Sequence, residues 1–399
     1  MISFEEAYKI VLNQFQDYGA ESVPSTNIMG RVLAEDLFAD RDFPPFNRAM
    51  KNGIAINFDA IEHGRRSFEI KGILAAGKPT FPFLETGDCI EIMSGAVVPY
   101  EADTVIAYED LSIEKDIATV HNVPVKGQNI NLRGSDKLKG ARLLKKNTLL
   151  SASEMGILSS IGQNNVFVKK LPKVAVIATG NELVKIEDQP LLHQIRGANN
   201  YLLSGALNEM GISPMLLHLE DDKDLMRQKL SYAIEAMDVL LLSGGVSVGK
   251  FDFIPEVLRD LGVEKLFNQI VQHPGKRFWF GTHKNANTVV FSFPGNPVST
   301  FANFHVYFRD WLYKSLGLSF YKKNVLLAHS MEILGELTQF LGVQIKWENG
   351  CVFASTVAIN GPGDLIGMSN IDGFILLSPS KKLYQKGESV PFIPTRRII

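Results

Sequence analysis

Two amphipathic helices are predicted from apolar residues at helical spacing, each with a capping pattern in front of it. Ser3 with Glu6, and Ser151 with Glu154, place a hydroxyl and a carboxylate three residues apart, which is typical of a capping box. The apolar residues of the first helix recur every three or four positions, at Phe4, Tyr8, Val11, Leu12 and Phe15. We therefore predict helices near residues 3–15 and 151–161.

The segment between these helices, from 41 to 140, is rich in Gly, Pro and β-branched residues and lacks long apolar stretches with a helical period. Gly- and Pro-containing turns separate short runs with strand character, which are 53–58, 68–75, 89–93, 104–110 and 118–123. Because helix flanks this segment on both sides, we expect a β-rich domain over 41–140, inserted into a discontinuous helical linking domain formed by 1–40 and 141–170.

From residue 171 the pattern changes to apolar strands alternating with helices. Buried strands are predicted at 174–179, 214–220, 238–243 and 288–295, with helical spacing in the stretches that follow them. This alternation is typical of a mostly parallel sheet covered on both faces. The prediction is a multidomain α/β plus β fold, with a doubly wound α/β domain over 171–318 and a small all-β, barrel-like C-terminal domain over 319–399.

Composition and charge exclude several classes of function. The 399 residues carry 41 basic and 43 acidic side chains, a net charge of -2, so no global field attracts nucleic acid or an anionic membrane. No stretch approaches 18 apolar residues, and the start of the chain does not resemble a signal peptide. The only two cysteines, Cys89 and Cys351, have no metal-ligand spacing, and we expect both to be buried in a cytoplasmic protein.

Three glycine-containing loops follow strands of the predicted α/β domain. Because the carboxyl ends of parallel strands share one edge of the sheet, we expect the loops to meet in one crevice. Glycine N–H groups, hydroxyls and the start of a helix at Asn296 and Pro297 favour an anion such as phosphate. The predicted ligand contacts are Thr179, Gly180, Ser243, Gly244, Gly245, Ser247, Gly249, Pro294, Gly295, Asn296 and Pro297.

Several charged residues lie near these loops. Glu182 and Asp252 would stand beside a bound anion, and an Mg2+ ion between them and phosphate would relieve that conflict. Lys276 either contacts the ligand or belongs to a solvated turn, and Asp221 and Asp222 either cap the following helix or supply charge to the site.

A nucleotide hydrolase is a further hypothesis, because Gly244 to Lys250 spells GGVSVGK and nearly fits the phosphate-binding pattern of P-loop enzymes. The next residue is Phe251, so the hydroxyl that binds magnesium in that pattern is missing.

The loop sequences TGNEL, GGVSVGKFD, HPGK and FPGNPVS, in this order, resemble the molybdopterin molybdenumtransferase family, which includes MoeA and the gephyrin E domain. PPFNRAMKNGIAI, IMSGAVVPYEADTVI and GQNINLRGSD extend the resemblance over essentially the whole chain. The resemblance implies an elongated homodimer that inserts molybdate into adenylylated molybdopterin with Mg2+ and releases AMP. It also makes the molybdopterin adenylyltransferase of the same pathway a candidate partner.

Matching positions carry the family's site residues onto this chain. The resemblance implies acidic active-site residues at Glu182, Asp221 and Asp252, of which Glu182 and Asp252 would hold the metal. The positions that would contact or shape the substrate are Pro294, Pro297, Lys276 and Ser94, the last standing where the family usually has threonine.

Several positions depart from the family pattern, most notably Asn52, which stands where the family has an active-site aspartate. An amide neither binds a cation nor accepts a proton as a carboxylate does. The other departures are Asn131 for arginine, Ser135 for glutamate, Gln269 and His273 for basic residues, and Pro362 for serine. Two hypotheses follow, a working transferase and a catalytically impaired protein that binds molybdopterin as a scaffold.

Overall fold

The computed structural model describes residues 1–82, 85, 87–246, 252–319 and 323–396. The chain divides into two compact units. The first consists of Met1–Val23, Ile28–Val32 and Phe167–Ile399, and the second of Pro24–Asn27 and Leu33–Val166. The predicted division into four domains stays a prediction.

The first unit contains the predicted α/β sheet, with six strands in a mixed arrangement. Four strands are parallel, in the order Met215–Leu219, Val174–Thr179, Val239–Ser243 and Thr288–Phe293. The strand of this sheet that follows Val174–Thr179 in the chain, Met215–Leu219, lies on one side of it, and the next strand, Val239–Ser243, lies on its other side. The point where the strand order reverses therefore lies between the ends of Val174–Thr179 and Val239–Ser243, the usual position of ligands in such sheets.

Helices cover both faces of this sheet, as the continuous apolar strands predict. Val174 and Val176 pack into the core on one face, and Ala175 and Ile177 into the core on the other. This alternation follows from the two-residue period of side chains along a strand. The covering helices are Ala198–Asn208, Lys223–Ala236, Ile254–Asp260 and Pro297–Asn303, the last continued by a π-helical segment, Phe304–Phe308, and by Arg309–Ser315.

Two further strands, Glu264–Phe267 and Trp279–His283, extend the sheet antiparallel beyond Thr288–Phe293. The sequence pattern missed this pair. Trp279, Phe280 and Gly281 are all buried, so the strand shows no alternation of polar and apolar residues.

The C-terminal strands of the first unit close on themselves, which agrees with the predicted barrel-like sheet. The ring runs through Thr338–Glu348, Cys351–Thr356, Lys323–Leu327, Ser389–Pro394 and Gly373–Leu377, and the last strand pairs again with the first. Gln272–His273 adds at the edge, parallel to Thr338–Gln339. Smaller elements are the strand pair Met331–Glu332 and Leu383–Tyr384, and the helix Leu365–Ser369.

The two predicted flanking helices are present as Phe4–Asn13 and Ala152–Ser160, and they fall in different units. Both caps form: Ser3 Oγ accepts from Glu6 N at 3.1 Å, and Ser151 N donates to Glu154 Oε2 at 2.8 Å. The flanks also contain strands that the helical prediction missed. Ala20–Pro24 pairs with Asn165–Lys169, and Leu37–Phe38 with Arg142–Leu144.

The second unit is built on a six-stranded sheet that contains all five predicted strands. Its order is Thr104–Ala107, Gly53–Ile56, Asp88–Ile92, Ser67–Leu74, Ile117–Val120 and Leu111–Glu114. Leu111–Glu114 is an additional strand, and a small pair joins Arg48–Ala49 to Ile130–Asn131. The remaining helical elements are Phe58–Glu62 and short 3-10 turns at Ser25–Asn27 and Tyr108–Asp110.

Two expectations about single features have different outcomes. None of the helices in the described parts of the chain is both long and apolar enough to cross a bilayer. Cys89 is buried as expected, but Cys351 is exposed, and that prediction was wrong. Cys351 begins a strand directly after the turn at Asn349 and Gly350, where the chain is at the surface.

Candidate functional site

The three predicted loops meet at one edge of the α/β sheet, around a crevice of about 800 Å³. They are called here the Thr179 loop (179–182), the Ser243 loop (243–246) and the Pro294 loop (294–297). Each contributes lining residues, and together they surround the point where the strand order reverses. Of the predicted contacts, Thr179, Gly180, Ser243, Gly244, Gly245, Pro294, Gly295, Asn296 and Pro297 line the crevice.

The Ser243 loop approaches the Thr179 loop so closely that only glycine fits. Gly244 has φ +98, and a Cβ there would lie 2.6 Å from Thr179 Oγ1 and 3.1 Å from Thr179 O. Gly245 has φ +68, and its Cβ would lie 2.6 Å from Ile254 Cγ1. Gly244 is therefore required by the contact between the loops and Gly245 by its contact with Ile254, in addition to the turn itself.

Two glycine N–H groups that were predicted to face the ligand are engaged elsewhere. Gly180 N donates to Leu219 O, and Gly244 N donates to Phe293 O, both at 3.1 Å. These bonds continue the pairing of neighbouring strands beyond their ends. The prediction was wrong for these two donors, so a bound anion must take its hydrogen bonds from other groups around the crevice.

Asn199 links two of the loops, and sequence reasoning missed it. Its Nδ2 donates to Ser243 Oγ and to Gly295 O, both at 2.7 Å. Because Ser243 Oγ accepts this bond, its own hydrogen points away from Asn199. The only signal in the sequence was the position of Asn199 in the first turn of a helix.

Two helices begin at the crevice. Gly197, Ala198 and Asn199 form the start of Ala198–Asn208 and line the wall. Asn296 and Pro297 begin the other helix, as predicted, although the Asn296 side chain makes no capping bond. First-turn N–H groups and the helix dipole favour an anion at this position.

Carboxylates also line the crevice, at Glu182, Asp221 and Asp252. The structure separates the two neighbouring aspartates: Asp222 caps Lys223–Ala236 by accepting from Asp224 N and Leu225 N, both at 2.9 Å. Asp221 Oδ2 instead accepts from Asn181 N at 3.3 Å.

The described residues contain no group of three or more His, Cys, Asp or Glu side chains that could hold a metal ion. Mg2+ usually takes one or two carboxylates and completes its shell with water and substrate phosphates. Glu182 and Asp252 offer carboxylate oxygens of that kind, so their chemistry fits Mg2+ only together with a phosphorylated ligand.

Among the described residues that line the crevice, the positive side chains are Arg196 and Arg277, neither of which was predicted. Lys276, which was predicted, is exposed and is not among the lining residues. Its backbone oxygen accepts from Ile270 N at 2.9 Å. The ligand contact of Lys276 stays a prediction.

A segment near the C-terminus completes the wall with Gly363 and Leu365. Asp364 between them caps Leu365–Ser369 and accepts from Gly367 N and Asn360 N, both at 2.8 Å. These N–H donors, Gly367 first, hold the pKa of the Asp364 carboxyl below its usual range. Asp364 is therefore a structural anion that fixes this turn.

Two further predicted residues, Asn52 and Ser94, lie in the second unit. Asn52 Oδ1 accepts from Ser94 N at 2.7 Å, so these two positions are direct neighbours. Ser94 Oγ donates to Met50 O at 3.3 Å. Ser135 Oγ donates to Asn131 Oδ1 at 2.6 Å, so two departures from the family pattern contact each other.

The predicted contacts Ser247 and Gly249 lie outside the described residues, together with most of the segment that suggested a P-loop.

Comparisons with known proteins agree over the full length. A family profile described as "MoeA N-terminal region (domain I and II)" matches residues 2–162, and one described as "Probable molybdopterin binding domain" matches residues 175–314. The molybdopterin molybdenumtransferase of Synechocystis sp. is 34% identical over 398 residues, covering 98% of this chain and 99% of that protein. The Staphylococcus epidermidis enzyme of the same name is 26% identical over 406 residues, covering 99% of this chain and 96% of that protein.

A structure of the molybdopterin biosynthesis MoeA protein from Pyrococcus horikoshii superimposes with a TM-score of 0.84 at 27% identity, covering 98% of this chain and 99% of that one. A second structure, also of a molybdopterin biosynthesis MoeA protein from Pyrococcus horikoshii, gives a TM-score of 0.83 at 29% identity, covering 100% of both chains.

Proposed function

The chain belongs to the MoeA family of molybdopterin molybdenumtransferases, which act in molybdenum cofactor biosynthesis, and we propose that it inserts molybdate into adenylylated molybdopterin with release of AMP and dependence on Mg2+. The observation that carries this proposal is the meeting of three strand-end loops around one crevice of about 800 Å³. That volume suits a substrate with two ring systems joined by a pyrophosphate.

The groups around the crevice match the pyrophosphate link of this substrate. The Arg277 guanidinium, the Ser243 hydroxyl and the N–H groups at the start of Ala198–Asn208 supply positive charge and donors. Arginine pairs with phosphate through two parallel hydrogen bonds, which fixes orientation as well as charge. These residues bind and orient the substrate.

The acidic residues have a different task. Glu182 and Asp252 would hold Mg2+, which when bound neutralises the phosphate oxygens and stabilises the AMP leaving group. Asp221 lines the same crevice, and its backbone-anchored carboxylate would orient the oxyanion or accept a proton.

The test is AMP release by the purified protein when it is given adenylylated molybdopterin, molybdate and Mg2+. We expect AMP and molybdenum-containing cofactor in equal amounts, and a Glu182→Gln variant with release at least tenfold slower. Gln keeps the size of Glu and removes only its charge. Failure of the wild-type protein, under conditions in which the Synechocystis relative works, would refute the proposal.

A second candidate, a catalytically impaired molybdopterin-binding scaffold, is favoured by Asn52. Its amide already accepts from Ser94 N, and a neutral amide oxygen is a weaker cation ligand than a carboxylate. For this candidate we expect binding of adenylylated molybdopterin by calorimetry without AMP release. A genome with no other member of the family but with active molybdoenzymes would contradict it.

The family resemblance also leads us to propose a homodimer and an association with the molybdopterin adenylyltransferase that supplies the substrate. Sedimentation equilibrium of the purified protein, alone and mixed with that enzyme, tests both; a monomer at micromolar concentration would contradict the first.

A further inference from the structure

Gln272 is a polar residue in the interior of the first unit, on the short strand Gln272–His273. Gln272 is 0% exposed, as are Asn303 and Tyr307, which surround its amide. A buried amide is costly unless all of its hydrogen-bonding groups find partners. The contacts of this amide therefore indicate why glutamine occupies a position suited to an apolar residue.

Every polar group of the Gln272 amide has a partner. Nε2 donates to Asn303 Oδ1 at 2.8 Å, to Pro274 O at 3.0 Å and more weakly to Gly275 O at 3.4 Å. The Tyr307 hydroxyl donates to Oε1. Burial raises the pKa of Tyr307 well above its ordinary value, so the hydroxyl keeps its proton. A flipped amide would place its oxygen against the carbonyl oxygens of Pro274 and Gly275, so the contacts define one orientation.

The backbone held by this amide leads directly into the crevice. Pro274 and Gly275 are followed by Lys276 and by Arg277, which lines the crevice. Gly275 has φ +86, and a Cβ there would lie 2.5 Å from Asn303 Oδ1. Asn303 Nδ2 also donates to Gly275 O at 3.4 Å. The turn before Arg277 is thus pressed against Asn303 and fastened by two amides.

Asn303 connects this turn to another wall of the crevice. It is the last residue of the helix Pro297–Asn303, whose first residue lines the crevice. In the same helix Thr300 Oγ1 donates to Pro294 O at 2.6 Å, which fixes the Pro294 loop. Through Gln272 and Asn303, the turn before Arg277 and the Pro294 loop are therefore parts of one rigid arrangement.

We propose that Gln272 is a positioning residue, which sets the place of the Arg277 guanidinium relative to the Pro294 loop and so determines the affinity for the substrate's phosphates. This inference rests on the proposed function. The network would be unnecessary for packing alone, because methionine fills the same volume without needing four polar partners.

The test compares Gln272→Met with Tyr307→Phe. The first variant removes the donors to Pro274 O and Asn303, whereas the second removes one buried hydrogen bond on the far side of the amide and leaves those donors in place. Thermal unfolding of both variants measures the purely structural cost. AMP affinity by calorimetry and the KM for adenylylated molybdopterin measure the effect on the site.

For Gln272→Met we expect AMP affinity to fall and KM to rise on the order of 10²-fold, because a shift of about 1 Å in a positioning group has effects of that size. We expect kcat to change less than KM, and Tyr307→Phe to stay within about threefold of wild type. Gln272→Asn, which keeps an amide but shortens it by one methylene, serves if Gln272→Met does not fold, with a loss in the same direction.

Backbone hydrogen exchange over 275–278 gives a measurement that needs no ligand. The inference predicts faster exchange there in Gln272→Met than in Tyr307→Phe. Equal exchange and equal AMP affinity in two folded variants would overturn it. If wild-type protein binds no AMP, the proposed function fails, and the exchange comparison alone decides whether Gln272 fixes the turn.

Discussion

Replacing Gly244 by alanine tests the close approach of the Ser243 and Thr179 loops. The substitution puts an L-residue at φ +98, which costs about 1–2 kcal/mol. It also brings Cβ to 2.6 Å from Thr179 Oγ1 and 3.1 Å from Thr179 O. Rotation of the Thr179 side chain relieves the first contact but not the second, and overpacking of this kind adds roughly 1–3 kcal/mol. We therefore expect a loss of roughly 2–5 kcal/mol in the free energy of unfolding.

Gly387→Ala is the matched control for Gly244→Ala. Gly387 has φ +80, but a Cβ there would meet nothing within 4 Å, so only the backbone cost of about 1–2 kcal/mol applies. All three tryptophans, Trp279, Trp311 and Trp347, belong to the first unit, so their fluorescence during urea unfolding reports on this unit for both variants.

AMP affinity distinguishes the two glycine variants further. Gly244→Ala displaces the loops that line the crevice, so we expect AMP binding to weaken at least tenfold, whereas Gly387→Ala should bind as wild type does. Equal losses of stability in both variants, with unchanged AMP affinity, would refute the contact between the loops.

Four other substitutions have distinct expected outcomes. Asn52→Asp keeps the acceptor for Ser94 N and restores a carboxylate, so AMP release should rise at least tenfold; an unchanged rate would contradict a defect at this position. Asp222→Ala should lose about 1 kcal/mol of stability without affecting AMP release, because Asp222 caps a helix. Asp221→Asn should slow AMP release at little cost in stability. The reverse pattern would argue against the helix cap at Asp222 and the site role of Asp221. Burial lowers the pKa of His305, and the nearby Arg309 charge adds a smaller effect in the same direction. The folded protein therefore keeps this imidazole neutral, whereas the unfolded chain takes up a proton below about pH 6.5. Between pH 7.5 and 5.5 wild type should therefore lose about 1.4 kcal/mol more stability than His305→Leu, and parallel pH dependences in urea unfolding would exclude this explanation.

Much of the α/β fold was predictable because its strands are buried on both faces and appear as uninterrupted apolar runs, as at Val174–Thr179. The same property concealed Trp279–His283, whose first three residues are all buried, whereas its partner Glu264–Phe267 is too short and too polar to appear as an apolar run. Trp279–His283 follows directly on the turn-forming HPGKR segment. A short apolar run at such a place fits a strand and the end of a turn equally well.

The candidate site was predictable at the level of loops but less so at the level of atoms. Glycines at strand ends located the crevice, since the sheet itself brings those ends together. Whether Lys276 or Arg277 lines it depends on the local backbone direction, which buried contacts such as Gln272 with Pro274 O define. The link from Asn199 to Gly295 O spans 96 positions, and no local pattern contains such a bond.

A crystal structure of the protein with AMP and Mg2+ would show whether the three loops form a phosphate site. We predict that the phosphate lies in the crevice, within hydrogen-bonding distance of Ser243 Oγ and Arg277, with the cation between the phosphate and Glu182 or Asp252. AMP bound at another edge of the sheet, or a phosphate facing only the carboxylates with no donor in reach, would contradict the central claim.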